Sequence, residues 1–214
     1  MDHADLVSGL RPNGRLRAVV ATALIYLALV AGLVVQRSDP AFGARFGQNQ
    51  VHVLLLGLSL FGIALLGRGA IRETFGRRPS AGWIAIALGV ALVALAVSHA
   101  WVRAVLPETA SASRGTSLWW HAALLALFVA YSEELLFRGV LWAALARRSS
   151  TWLRPLLQTS ALFAIAHVIG PAGIAEVPHR AVAGLLLGLL RAKSQSLWPA
   201  VHAHFCLDLI VFTT

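Results

Sequence analysis

The stretch AYSEELLFRGVLW, residues 130–142, sets two adjacent glutamates and an arginine inside an otherwise apolar run, Ser117–Ala146. A charged side chain at the centre of a bilayer costs roughly 2.5–3.5 kcal/mol on insertion scales. Glu133, Glu134 and Arg138 therefore ask for a reason, and the rest of the chain decides what environment they occupy.

Of the 214 residues, 58% are hydrophobic and only 13% are charged, against about 25% charged in ordinary globular chains. A net charge of +9 would suggest nucleic acid if the cations shared a polar face. Here they lie in short clusters between long apolar runs, as in membrane proteins, and nucleic acid is excluded as a partner. Arginine far outnumbers lysine, Lys193 being the only one, and alanine and glycine abound. That bias points to a GC-rich bacterial genome. The single cysteine, Cys206, excludes an intrachain disulfide.

Apolar runs long enough to cross a bilayer predict an all-α fold, a polytopic transmembrane helix bundle forming one integral membrane domain over residues 1–214. The runs are Ala18–Val35, Val51–Gly67, Ala81–Val102, Ser117–Ala146, Pro155–Gly170, the short Arg180–Leu190 and Ser196–Phe212. About seven spans are expected, or six to eight because of the short one. The first run is too long for a signal-peptide core and no A-x-A-like site follows it, so it reads as a retained span. Twelve cations fall in the N-terminus and alternate loops: Arg11, Arg15, Arg17; Arg68, Arg72, Arg77, Arg78; Arg147, Arg148, Arg154; Arg191 and Lys193. The intervening loops hold five, Arg37, Arg45, Arg103, Arg114 and Arg180. The imbalance orients the N-terminus to the cytoplasm, of a bacterial inner membrane on this reading. Leu106–Thr116 is polar and reads as a flexible loop dividing three spans from four.

The intramembrane polar residues concentrate in the second group. Glu134 and Arg138 are four apart and share a helical face, which leaves Glu133 about 100° round the helix without a local partner. A spare carboxylate in a low-dielectric site suits a general base or acid; the plainer alternative is an interhelical salt bridge. His167 lies in LFAIAHVIG, where a lone histidine also fits a packing role. In HAHFCLDL, His204 and Asp208 are four apart and share a face, whereas His202 points elsewhere and Cys206 packs as a small hydrophobe. At 1.5 Å per residue, Glu133, His167 and His204 lie roughly 20, 18 and 12 Å from the cytoplasmic ends of their spans, which favours a shared polar cavity. His52, His99 and His121 have no acidic companion at helical spacing and read as structural or interfacial. Trp119, Trp120 and Trp198 fit an aromatic belt, and Gly184 with Gly188 a close helix contact.

The series E-E-x-x-x-R (Glu133, Glu134, Arg138), F-x-x-x-H (Phe163, His167) and H-x-x-x-D (His204, Asp208) resembles the CPBP family of intramembrane proteases. That family includes the type II CAAX prenyl endopeptidases and bacterial Abi-like relatives. The run AGLLLGLLRAKSQSLWPAVHAHFCLDL looks like the family's glycine-spaced helix, S-L-W-P turn and final motif. The resemblance covers residues 117–212, the expected catalytic core. It implies that Glu133 activates the attacking water with the help of His167, that His204 and the residue at 208 stabilise the oxyanion, and that Glu134, Arg138 and Phe163 support the site. Position 208 is commonly Asn in the family; an ionised Asp208 cannot donate to an oxyanion, and orienting His204 is the role expected of it instead. No cofactor is expected. Were zinc present, Glu133, His167, His204 and Asp208 would be its ligands, but no close H-E-x-x-H spacing requires it.

The expected partners are the lipid bilayer and a membrane protein or peptide substrate. Most bacteria lack prenylated proteins, so a leader peptide, a C-terminal sorting signal or an anti-regulator fits better than a CAAX tail. A proton-coupled transporter would also place Glu, His and Asp in a membrane, yet neither inverted repeats nor paired broken helices are visible. A non-catalytic immunity or scaffold protein is a further alternative, against which the intact polar positions argue.

Overall fold

The computed structural model describes residues 48–67, 69–105, 119–169 and 173–213, together with short helical stretches between residues 16 and 31. Among them helices and tight turns account for the chain, apart from an isolated antiparallel bridge between Gly76 and Ser196. Helix is the form in which an apolar run satisfies its own backbone, and the Leu- and Ala-rich runs adopt it. The order is α1 (Gln48–Leu66), α2 (Ala70–Phe75), α3 (Ala81–Val105), α4 (Trp119–Glu134), a π-helical segment (Leu135–Leu141), α5 (Trp142–Ala146), α6 (Leu153–Ala166), two 3-10 turns (His167–Ile169 and Gly173–Glu176), α7 (Val177–Ser194) and α8 (Trp198–Thr213). Gly67 ends α1 at φ 75° and Gly76 ends α2 at φ 71°, left-handed positions that an L side chain would strain.

Two of the described helices, Ala81–Val105 and Gly173–Ser194, are long and apolar enough to cross a membrane; Val51–Leu66 and Leu153–Ala166 are apolar but shorter. The expected seven spans are not reached by that measure. The predicted Pro155–Gly170 run stops being α-helix at Ala166, where the chain tightens into a 3-10 turn at His167. Ser117–Ala146 is broken by the π segment, while Arg180–Leu190 proves to be the middle of a longer helix. Part of Ala18–Val35, and all of Leu106–Thr116, lie outside the described residues.

The packing inverts the soluble pattern. On α3 the buried residues are Ala87, Ala91 and Ala94, the first two set against Leu187 and Leu190 of α7 and Ala200 and Ala203 of α8. Meanwhile Leu92 stands 62% exposed, with Ile86, Leu88 and Val93 exposed beside it. Small residues inward and large apolar ones outward are how helices pack in lipid. The same device joins α6 to α7: a Cβ on Gly184 would lie 3.2 Å from the Ser160 backbone, and one on Gly188 would run into the Leu156 side chain.

All seven residues of the π segment are buried, packed among Leu55 and Leu66 of α1 and Leu162 and Phe163 of α6. At the foot of the bundle two buried arginines satisfy backbone carbonyls. Arg147 donates to Glu73 Oε2 at 2.6 Å and to the Leu66 carbonyl at 2.9 Å. Arg191 donates to the carbonyls of Arg138 at 3.0 Å and Glu73 at 2.7 Å. Leu66 closes α1, so Arg147 caps a helix C-terminus from a distant helix. The Arg77 N–H donates to the Gln195 carbonyl, and Leu197 N–H to that of Phe75. The α2–α3 linker is thereby locked to the α7–α8 turn, and the frame around the π segment closes.

Candidate active site

The site forms where α4 becomes π-helix. Glu133 and Glu134 are the last residues of α4, and both are buried. The wider turn that follows is a feature concentrated at functional sites. Glu134 Oε1 accepts from Arg138 Nη1 at 2.7 Å and from His204 Nδ1 at 2.9 Å. The Arg138 guanidinium, wholly buried, donates its other fork to the Gly184 carbonyl at 3.0 Å and lies 4.3 Å over the Phe163 ring. Gly184 can offer its carbonyl there because the α6–α7 contact has no side chain in the way. Phe163 fills the centre, its ring meeting Phe137, His167 and His204.

Glu133 faces the other way, into a ring of imidazoles. Its Oε2 lies 4.0 Å from His167 Nε2 and 3.9 Å from His204 Nε2, and its Oε1 lies 3.9 Å from His52 Nδ1. Asp208 Oδ2 stands 3.4 Å from His204 Nε2. Glu133 Oε2 and Asp208 Oδ2 are buried and have no hydrogen-bond partner among the described residues. His167 Nδ1 donates to the Phe163 carbonyl at 2.7 Å, one turn back along α6. In the neutral ring that bond leaves Nε2 as the acceptor facing Glu133. The F-x-x-x-H spacing thus fixes a tautomer as well as a stacking contact.

Every residue singled out from the motifs enters this cluster: Glu133, His167, His204 and Asp208 face one another, with Glu134, Arg138 and Phe163 behind them. Two placements differ from the sequence reading. The carboxylate on His204 Nδ1 is that of Glu134, while Asp208 meets Nε2, the nitrogen that also faces Glu133. And His52, read as structural or interfacial, adjoins Glu133 from α1. Its partners lie some eighty positions along the chain, so no local spacing could have signalled it. His202 is half-buried, and Cys206 packs against the α3–α8 alanines.

Zinc ligands at about 2.0–2.2 Å from one ion stand about 3.3–3.6 Å apart at tetrahedral angles. The two Glu133–imidazole separations are wider. No set of three or more His, Cys, Asp or Glu side chains is gathered to hold a metal among the described residues.

No curated protein and no solved structure gives a significant match to the chain. The family model described as type II CAAX prenyl endopeptidase Rce1-like does match, over residues 115–210. That segment runs from just before α4 almost to the end of α8 and contains every motif of the cluster except the contribution of α1. Residues 115–210 are thus identified as a type II CAAX prenyl endopeptidase Rce1-like region, consistent with the CPBP family of intramembrane proteases.

Proposed function

We propose that the chain is a polytopic intramembrane endopeptidase that hydrolyses a peptide bond in a membrane-associated protein or peptide without a metal, Glu133 serving as general base. The observation that carries this reading is the Glu133 carboxylate itself. Its buried Oε2 lies 4.0 and 3.9 Å from two imidazole Nε2 atoms, too far for direct hydrogen bonds and a span that one water bridges. A water there meets Glu133 as proton acceptor, with His167 Nε2, an acceptor in its tautomer, on its other side.

The chemistry follows from the donors. Glu133 takes a proton from the water as its oxygen attacks the scissile carbonyl carbon. The carbonyl oxygen gains negative charge and accepts from the Nε2–H of His204. That donation requires a proton on each ring nitrogen; Nδ1 is held by Glu134 and Nε2 faces Asp208. As the tetrahedral intermediate collapses, the C–N bond breaks and Glu133 returns its proton to the leaving amine. Glu134 and Arg138 fix the direction of His204, and Phe163 keeps the guanidinium and both imidazoles in register.

The span count and the cytoplasmic N-terminus belong to this proposal, supported by the outward-facing Leu, Ile and Val of α3 and by the cation imbalance of the loops. The substrate class that fits is a membrane-embedded segment, because the carboxylate is reached only within the apolar bundle. The test is cleavage of a quenched-fluorescent library of apolar peptides by purified protein in detergent, wild type beside Glu133→Gln. Cleavage lost on the order of 10²-fold or more in the variant, with unchanged thermal unfolding, is the expected result. Equal cleavage by both proteins would remove Glu133 from the reaction, and a folded wild type inert to the whole library would favour a scaffold or transporter.

A further inference from the structure

Among the described residues, three imidazoles border Glu133, and the mechanism uses two. The third, His52, comes from α1, outside the segment that matches the family model, yet it is buried and lies 3.9 Å from Glu133 Oε1. Its ring is held on one face of α4. The edge of Phe128 meets it at 6.0 Å between centroids, and Ser132, one turn further on, meets Nδ1 at 3.0 Å.

The hydrogen bonds determine which nitrogen carries the proton. The Ser132 hydroxyl donates its only hydrogen to the Val129 carbonyl at 2.9 Å, so toward His52 it acts as acceptor. His52 Nδ1 must therefore be the donor. A fixed N–H on Nδ1 puts the positive end of the ring dipole beside Glu133 Oε1, while Oε2 is the atom that faces His167 and His204. The two carboxylate oxygens are thus treated differently: one is backed by a donor locked in place by a serine, and the other is left for the water.

We propose that His52 is a positioning residue: its ring, locked by the Nδ1–H bond to Ser132, backs the Oε1 side of Glu133 from 3.9 Å through its dipole and so aims Oε2 at the water. The proposal rests on the general-base reading of Glu133. It extends the working site beyond residues 115–210 to α1, and it assigns a role to Ser132 as the residue that sets the tautomer. His52 need not touch the substrate, so its loss acts on turnover rather than on binding.

Two measurements test it. The first is cleavage of the apolar peptide library by wild type, Glu133→Gln, His52→Leu and His52→Asn. Leucine fills similar space without a donor, whereas the asparagine amide nitrogen sits near the position of Nδ1 and can donate to both Ser132 and Glu133. His52→Leu is expected to lower kcat on the order of 10²-fold, the scale of a misaimed catalytic group, with KM little changed. His52→Asn is expected to recover most of that loss. Equal losses in both variants, or no loss in either while Glu133→Gln is inactive, would overturn the proposal and leave the protease reading standing. Full activity in Glu133→Gln would overturn both.

The second measurement does not depend on turnover. In protein labelled with nitrogen-15 in its histidine rings, the His52 signals are those missing from His52→Asn. A proton on Nδ1, with a resonance that moves in both Ser132→Ala and Glu133→Gln, is the expected result. A proton on Nε2, or a His52 ring indifferent to Glu133→Gln, would overturn the proposal whether or not any peptide is cleaved.

Discussion

Glu134 Oε1 accepts from His204 Nδ1 at 2.9 Å and from Arg138 Nη1 at 2.7 Å. One oxygen therefore joins α4, the π segment and α8 at a point where Glu134 and Arg138 are wholly buried and His204 is 4% exposed. The adjacent glutamate, Glu133, is turned toward the histidines instead. Two neighbouring carboxylates thus have separate environments: Glu134 holds two cationic donors on one oxygen, whereas Glu133 makes only contacts of 3.9–4.0 Å to imidazole nitrogens.

Arg138 is the group on which the structural half depends. It is wholly buried between Glu134, the Gly184 carbonyl and the Phe163 ring. Replacing it with methionine leaves Glu134 with one of its two donors and a buried charge, at a cost of about 3–5 kcal/mol. The check is the midpoint of thermal unfolding in detergent, which is expected to fall steeply. Arg138→Lys is expected to fall nearly as far, since an ammonium cannot span two acceptors on different helices as a fork does. A lysine variant as stable as wild type would mean that charge alone holds the site together.

The glycines divide by what surrounds them. Gly184 abuts the Ser160 backbone, whereas nothing lies within 4 Å of where a Cβ would stand at Gly57 or Gly89. Gly184→Val is expected to push α7 off α6 and destabilise by about 1–3 kcal/mol, the usual cost of overpacking. It also withdraws the carbonyl that Arg138 uses, so cleavage is expected to fall with stability. Gly89→Ala should leave both unchanged. The paired melting curves and rates check whether the G-x-x-x-G contact positions the site or only the helices.

Much of the site was legible because its partners sit at helical spacing. Glu134 with Arg138, Phe163 with His167 and His204 with Asp208 are each four apart, and the G-x-x-x-G of α7 is what its spacing suggested. Comparable depth in three helices anticipated the meeting of Glu133, His167 and His204. What escaped were relationships without a local signature. His52 reaches Ser132 across eighty positions, and Glu133 beside it. The π segment is a shift of backbone hydrogen bonds that hydropathy does not encode. Arg147 and Arg191 counted as loop cations, yet both are buried on backbone carbonyls, because a long side chain at a helix end can turn inward to a cap. Where a helix ends was less legible: apolarity continues past Ala166, but the α-helix gives way there to a 3-10 turn at His167.

The Glu133–imidazole separations of 3.9 and 4.0 Å suit a bridging water and exceed those of ligands sharing zinc. Prolonged treatment with a zinc chelator, followed by removal of the chelator, is expected to leave peptide cleavage unchanged. Elemental analysis of the active protein should find no stoichiometric zinc. Activity lost to the chelator and restored by added zinc would make Glu133, His167, His204 and Asp208 a ligand set.

Asp208 is the position where this chain departs from the Asn common in the family it resembles. Its Oδ2 lies 3.4 Å from His204 Nε2, beside the region where the oxyanion would form, and the other ring nitrogen is already oriented by Glu134. An aspartate there, 3.4 Å away and without a hydrogen bond to the ring, favours a proton on that nitrogen and leaves it free for the oxyanion. An asparagine can do the same through its amide oxygen and can also donate to the oxyanion from its nitrogen. Asp208→Asn is therefore expected to retain cleavage within about tenfold, while Asp208→Leu, which offers neither acceptor nor donor, is expected to lose on the order of 10²-fold in kcat. Rates for both variants, read at equal folded fraction from their melting curves, check it. If the asparagine variant falls as far as the leucine one, the negative charge at 208 is what His204 requires, and this chain runs its oxyanion site on a carboxylate-held imidazolium alone.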